Sequence, residues 1–181
     1  MLVLHPTDDT TKFLSVLYAG KAGVTVMTQT DAPEAVRKAV HHLPSGEMLL
    51  LLGHGSDTGL FSRSTEGEAF DRIIFGHKHA YYLHGRSNIV GIWCNANLFA
   101  QKEHLHGLFS GMIISELSEA KEYGITTTQE ELDRENALFA ERLASLLEAG
   151  MQLKDIPEAM RALDKAKTPL TSFNYNNLFY L

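Results

Sequence analysis

The feature that most constrains this chain is a set of short apolar runs that do not alternate with polar residues. "MLVL" at residues 1–4, "MLLLL" at 48–52 and "IVGIW" at 90s' edge, residues 89–93, are the clearest. A strand that is greasy on both faces must be covered on both faces, which is the condition of strands in a parallel sheet sandwiched between helices. The intervening segments carry helix signals. "DDTTKFLSVLYAG" offers Asp8 or Asp9 as N-cap and Gly20 beyond its end, and "TDAPEAVRKAVHHLPSG" has Asp31 near its start, Pro33 in its first turn and Pro44 after it. Between them, "GVTVMTQ" is β-branched and reads as a strand.

Beyond the third strand, "GLFS" and "RIIFG" are short apolar pieces suited to a hairpin, and "HKHAYYLHG" reads as a short helix. "NIVGIWC" is then a fourth strand, "NANLFAQKEH" a helix and "GMIIS" a fifth strand. In "TTTQEELDRENALFAERLASLLEAG", Thr128 and Glu131 have capping-box spacing, while Leu132, Phe139, Leu143, Leu146 and Leu147 form one apolar face. "IPEAMRALDKA" reads as a last helix and "SFNYNNLFYL" as a terminal strand. This alternation predicts an α/β fold, a three-layer sandwich around a mostly parallel central sheet, in one domain over residues 1–181.

Charge narrows the partners. The net charge of -6 argues against a nucleic-acid binder, which needs a basic stripe for the phosphates. No run approaches the roughly 18 apolar residues of a membrane span. The first residues lack a basic segment followed by a long apolar one, so no secretory signal is expected. A single cysteine cannot form an internal disulfide and fits a reducing compartment. A cytoplasmic protein is the expectation, its oligomeric state left open.

Chemistry concentrates at two strand ends. "LLLLGHG" ends on His54 and Gly55, and "IVGIWCNA" ends on Cys94. In parallel sheets, ligands bind outside the carboxyl ends of the strands, so the two residues are expected on one edge. Histidine accepts and donates protons near neutral pH, and a cysteine at a helix start is expected to gain thiolate character. Separately, a buried cysteine is a common core residue and a strand-end histidine a common structural one; it is their matched placement that suggests catalysis.

The order strand, His-Gly, hairpin, strand, Cys resembles the caspase-like (clan CD) cysteine peptidases over nearly the whole chain. The resemblance implies a caspase-like sandwich with an antiparallel terminal edge strand, and a Cys-His dyad acting on a peptide or protein substrate. Cys94 would attack the carbonyl, His54 would protonate the leaving amine, and the backbone amides of Gly55 and Cys94 would hold the oxyanion. It implies no cofactor and no metal. The cysteine is flanked here by Ile92-Trp93 and Asn95-Ala96, where caspases carry Gln-Ala and Arg-Gly.

Strand one leads into "HPTDD" and strand five into "SELSE", which makes Asp8, Asp9, Glu116 and Glu119 candidate substrate-binding residues. With no arginine in either segment, a pocket for lysine or arginine is expected rather than one for aspartate. Two alternatives stand beside this: a catalytically inactive caspase-like module that binds a peptide or protein, and a flavodoxin-like binder of a small ligand. "GHGSDTG" is one residue too long for a dinucleotide loop and follows the wrong strand. His77, His79, His84, His104 and His106 match no zinc template.

Overall fold

The computed structural model describes residues 1–63 and 70–181. Six strands form the central sheet: β1 (Leu2–Leu4), β2 (Thr25–Met27), β3 (Leu49–Leu52), β7 (Ile89–Ile92), β8 (Gly107–Ser110) and β9 (Leu178–Tyr180). A small second sheet holds β4 (His54–Ser56), β5 (Gly59–Arg63) and β6 (Phe70–Gly76). The central order is β2-β1-β3-β7-β8-β9. All pairings are parallel except β8 with β9, so the expected terminal strand is an antiparallel edge.

The helices are α1 (Pro33–His41), α2 (His77–Ala80), α3 (Ala96–Lys102), α4 (Leu117–Glu122), α5 (Gln129–Glu148), α6 (Ile156–Leu163) and α7 (Pro169–Asn176). Successive strand residues point to opposite faces, and both faces are covered. Leu2, Leu4, Leu49, Leu51 and Ile89 pack with Val36 and Val40 of α1 and Phe99 of α3. Val3, Leu50, Leu52, Val90 and Leu108 pack with Phe139 and Leu143 of α5, Met160 of α6 and Tyr175 of α7. This explains the unbroken apolar runs: Leu49 to Leu52 are all 0% exposed. No helix among the described residues is long and apolar enough to cross a membrane.

Three elements differ from their sequence reading. The stretch 8–20 holds a 3-10 helix, Lys12–Leu17, in place of an α-helix. Asp8 Oδ1 accepts the amides of Thr10 and Thr11 at 3.0 Å each, and this tight turn delays the helix start. The fifth strand is "GLFS", four residues before the expected "GMIIS". Ser110 ends it by accepting the Trp93 N–H at 3.0 Å and donating to the Trp93 carbonyl at 2.8 Å. Ile113 and Ile114 are apolar because they are buried beyond the strand end. The Asn174 carboxamide serves the backbone of Ile114 there, at 2.8 and 3.1 Å.

The third correction is at the carboxyl end. "SFNYN" is helical, within α7, Asn177 is its C-cap, and only Leu178–Tyr180 is strand. Thr168 Oγ1 accepts the Thr171 N–H at 3.2 Å, with Pro169 in the first turn, a strong helix start. The capping pattern at α5 forms by half: Thr128 Oγ1 accepts the Glu131 N–H, while the Glu131 carboxylate takes the Thr127 hydroxyl.

Candidate functional site

The carboxyl ends of β1, β3, β7 and β8 lie along one edge of the central sheet, as parallel pairing requires. Gly53 alone joins β3 to β4, at φ +136°. Such a backbone is strained for residues other than glycine, and it turns the chain out of the central sheet into the small one. Gly55 has a different reason to be glycine. A Cβ there would lie 2.2 Å from Trp93 Cδ1 and 2.4 Å from the Gly59 carbonyl oxygen. The two glycines thus fix the path on either side of His54.

The ring of His54 is buried, with its side chain 6% exposed. Nε2 lies 3.0 Å from Asp8 Oδ2 and 2.7 Å from Thr10 Oγ1. Asp8 is itself tied down: besides the two amides, its Oδ1 accepts the hydroxyls of Thr10 at 2.8 Å and Thr11 at 3.0 Å. Burial alone would raise its pKa. The hydrogen bond and charge of His54, with the two threonine hydroxyls, outweigh that and hold the carboxyl well below the usual carboxylate range.

Cys94 follows β7 and is half-buried. Burial first, and then the carboxylates of Glu119 and Glu116, push its thiol up to about 12, against the pull of the Ile113 amide and its own. The expected thiolate stabilisation at the helix start is therefore reversed. Here α3 spans only seven residues, capped by Asn95 at φ 65°, and its dipole is outweighed by desolvation and negative charge.

His54 and Cys94 line the same narrow crevice, with Gly53, Trp93, Phe13, Ile113 and Ser115 among its walls; its volume is about 10 Å³. That is close to the smallest void able to hold one water. Phe13 and Ser115 also line a broad neighbouring cleft of about 870 Å³. Thus the structure brings together the ends of β3 and β7 in a narrow crevice next to a broader cleft.

The four candidate carboxylates divide. Asp9 and Glu116 line the broad cleft, joined by Asp133 and Lys12. Asp8 is turned onto His54. Glu119 caps the start of α4, its Oε2 accepting the amides of Ser115 at 2.7 Å and Glu116 at 3.0 Å. Burial raises the Glu119 pKa, with those amides opposing.

Two residues at this edge escaped the sequence reading. Thr10 was visible only as one of a "DDTT" run. His5, at the end of β1, is 0% exposed, and its Nδ1 is 3.0 Å from the Tyr18 hydroxyl. Burial lowers its pKa to about 4, with Asp8 opposing.

Within the histidine cluster, His77 and His84 are tied to Glu103, and His79 caps the start of its own helix. His77 Nδ1 meets Glu103 Oε2 at 2.8 Å, His84 Nε2 meets the Glu103 carbonyl at 3.0 Å, and His79 Nδ1 accepts the Gly76 N–H at 3.2 Å. Among the described residues, no group of three or more His, Cys, Asp or Glu side chains is placed to hold a metal ion. No protein-family model matches the chain, and no curated protein matches it.

Proposed function

We propose that the chain is a caspase-like cysteine peptidase in which Cys94 is the nucleophile and His54 the proton carrier. The observation that carries this reading is the crevice shared by His54 and Cys94, which follow adjacent parallel strands. The order strand, His-Gly, small antiparallel sheet, strand, Cys supports the caspase-like form of the fold. A cytoplasmic setting suits the lone thiol.

With its pKa near 12, Cys94 rests as a neutral thiol. The first step is therefore transfer of the Sγ proton to the His54 ring as sulfur bonds to the substrate carbonyl carbon. His54 returns that proton to the amine as the carbon–nitrogen bond breaks. A water then attacks the thioester, its proton passing through His54 to the departing sulfur. With Nε2 engaged by Asp8 and Thr10, proton exchange with substrate is assigned to Nδ1.

Among the described residues lining the broad cleft, Asp9, Glu116 and Asp133 are acidic and Lys12 is basic. In a concave site that charge balance attracts cations more strongly than on open surface. Lysine or arginine before the scissile bond is the expected preference.

The experiment is a fluorogenic peptide library together with a lysine-directed acyloxymethyl ketone probe. Turnover and labelling that vanish in Cys94→Ala and His54→Ala support the peptidase. Cleavage that survives in Cys94→Ala overturns it. The raised thiol pKa favours one second reading, a non-catalytic peptide-binding module. That reading expects library peptides to bind without turnover in wild type and in Cys94→Ala alike.

A further inference from the structure

We infer that Asp8 is a positioning residue whose charge fixes neutral His54 as its Nε2-protonated tautomer, with Thr10 Oγ1 as the hydrogen-bond acceptor on that nitrogen. The argument is one of donors and acceptors. Thr10 Oγ1 donates its single proton to Asp8 Oδ1 at 2.8 Å. The 2.7 Å approach of that oxygen to Nε2 is then a bond in which the ring nitrogen donates. Asp8 Oδ2, 3.0 Å from the same Nε2, belongs to an ionised carboxylate and can only accept. A bare Nε2 would set its lone pair against that carboxylate. Both neighbours therefore require the proton on Nε2, which makes Nδ1 the basic nitrogen of the neutral ring.

Asp8 is suited to this task because it does not move freely. Two amides and two hydroxyls of Thr10 and Thr11 anchor Oδ1, while Oδ2 points to the imidazole. The carboxylate is half of a turn whose other half is the start of the 3-10 helix, so ring orientation is locked to backbone. The tautomer stands on this geometry alone; its catalytic consequence rests on the peptidase reading. There, Asp8 touches neither substrate nor sulfur, and acts by making Nδ1 the basic nitrogen of the ring that takes the Cys94 proton.

The test is two-bond 15N–1H correlation of the histidine rings in the full chain, recorded at rising alkaline pH until the ring signals stop changing. In wild type, His54 is expected to show a protonated Nε2 and a bare Nδ1. In Asp8→Asn, whose amide can donate to Nε2, the proton is expected to move wholly or partly to Nδ1. Thr10→Val keeps the carboxylate and is expected to keep the wild-type tautomer. A wild-type ring protonated on Nδ1 overturns the assignment, and so does an Asp8→Asn ring unchanged from wild type. If Asp8→Asn fails to fold, the wild-type spectrum and Thr10→Val still decide.

The activity arm is read separately. On the best library peptide, Asp8→Asn is expected to lower kcat about 10²–10⁴-fold with KM nearly unchanged, the pattern of a misplaced proton rather than lost binding. A KM effect with kcat unchanged would overturn the positioning role. Absence of turnover in wild type would refute the peptidase reading while leaving the tautomer measurement to judge Asp8.

Discussion

Acidification should destabilise this protein in a window set by one buried residue, His5. The ring is 0% exposed at the end of β1, and burial lowers its pKa from 6.5 to about 4. In the unfolded chain it takes up a proton near 6.5, so between those values the unfolded state holds more protons. Stability is therefore full above about pH 6.5 and is lost as pH falls through the folded value. The pKa difference of about 2.5 pH units bounds the loss at about 3.4 kcal/mol. At pH 5 the linkage relation gives about 2 kcal/mol relative to pH 7.5. With a urea slope of about 2 kcal/mol/M, the midpoint should fall by about 1 M. The assay is urea unfolding at half-unit steps from pH 7.5 to 5, for wild type and His5→Asn. Asparagine places an amide near Nδ1, where it can keep the Tyr18 bond without titrating. Subtracting the two curves isolates the contribution of His5 together with its coupling to Asp8 and His54. Parallel curves, with no difference opening below pH 6.5, would refute the reasoning.

Other outcomes follow from named contacts. Cys94 should alkylate with iodoacetamide more slowly than glutathione at neutral pH and accelerate into the alkaline range, because its thiol is pushed up to about 12; a faster reaction at pH 6 would contradict the desolvated thiol. Gly55→Ala should destabilise by about 1–3 kcal/mol in urea unfolding, since the new methyl would meet Trp93 and Gly59 inside contact distance; an unchanged midpoint would sink this. Thr128→Ala should lose the cap on the Glu131 N–H, about 1 kcal/mol, and a thermal midpoint unchanged within error would count against it.

The elements legible in the sequence are those whose neighbours impose few demands. Helix α5 carries its own cap and apolar face, and Leu49–Leu52 admits only a doubly covered strand. His54 and Cys94 could be matched because parallel topology alone sends both to one edge. What could not be read depends on side chains reaching across the fold. "GLFS" and "GMIIS" are equally apolar, and only the Ser110 bonds to Trp93 and the Asn174 bonds to Ile114 decide which is strand. The aromatic look of "SFNYNN" hid a helix announced by Thr168-Pro169. Asp8 reads as a helix cap in one dimension, but one oxygen closes a turn ahead of the helix, whose N-cap is Thr11, and the other meets a ring 46 positions later in the chain. The helix-start argument for Cys94 treated the dipole in isolation, without the Glu119 carboxylate that folding brings near.

Trp93 is the chain's only tryptophan, and its surroundings make it an optical reporter. The indole is 1% exposed, donates its N–H to the Ser56 carbonyl at 2.9 Å and meets Phe99 edge-on. It also forms part of the crevice wall beside Cys94 and spans from the central sheet to the small one. Its emission should be blue-shifted and shielded from aqueous quenchers. A peptide that pries open the crevice, or a displacement of the small sheet, must disturb that environment before the rest of the core responds. Intrinsic fluorescence therefore follows the opening of this one edge without any attached dye.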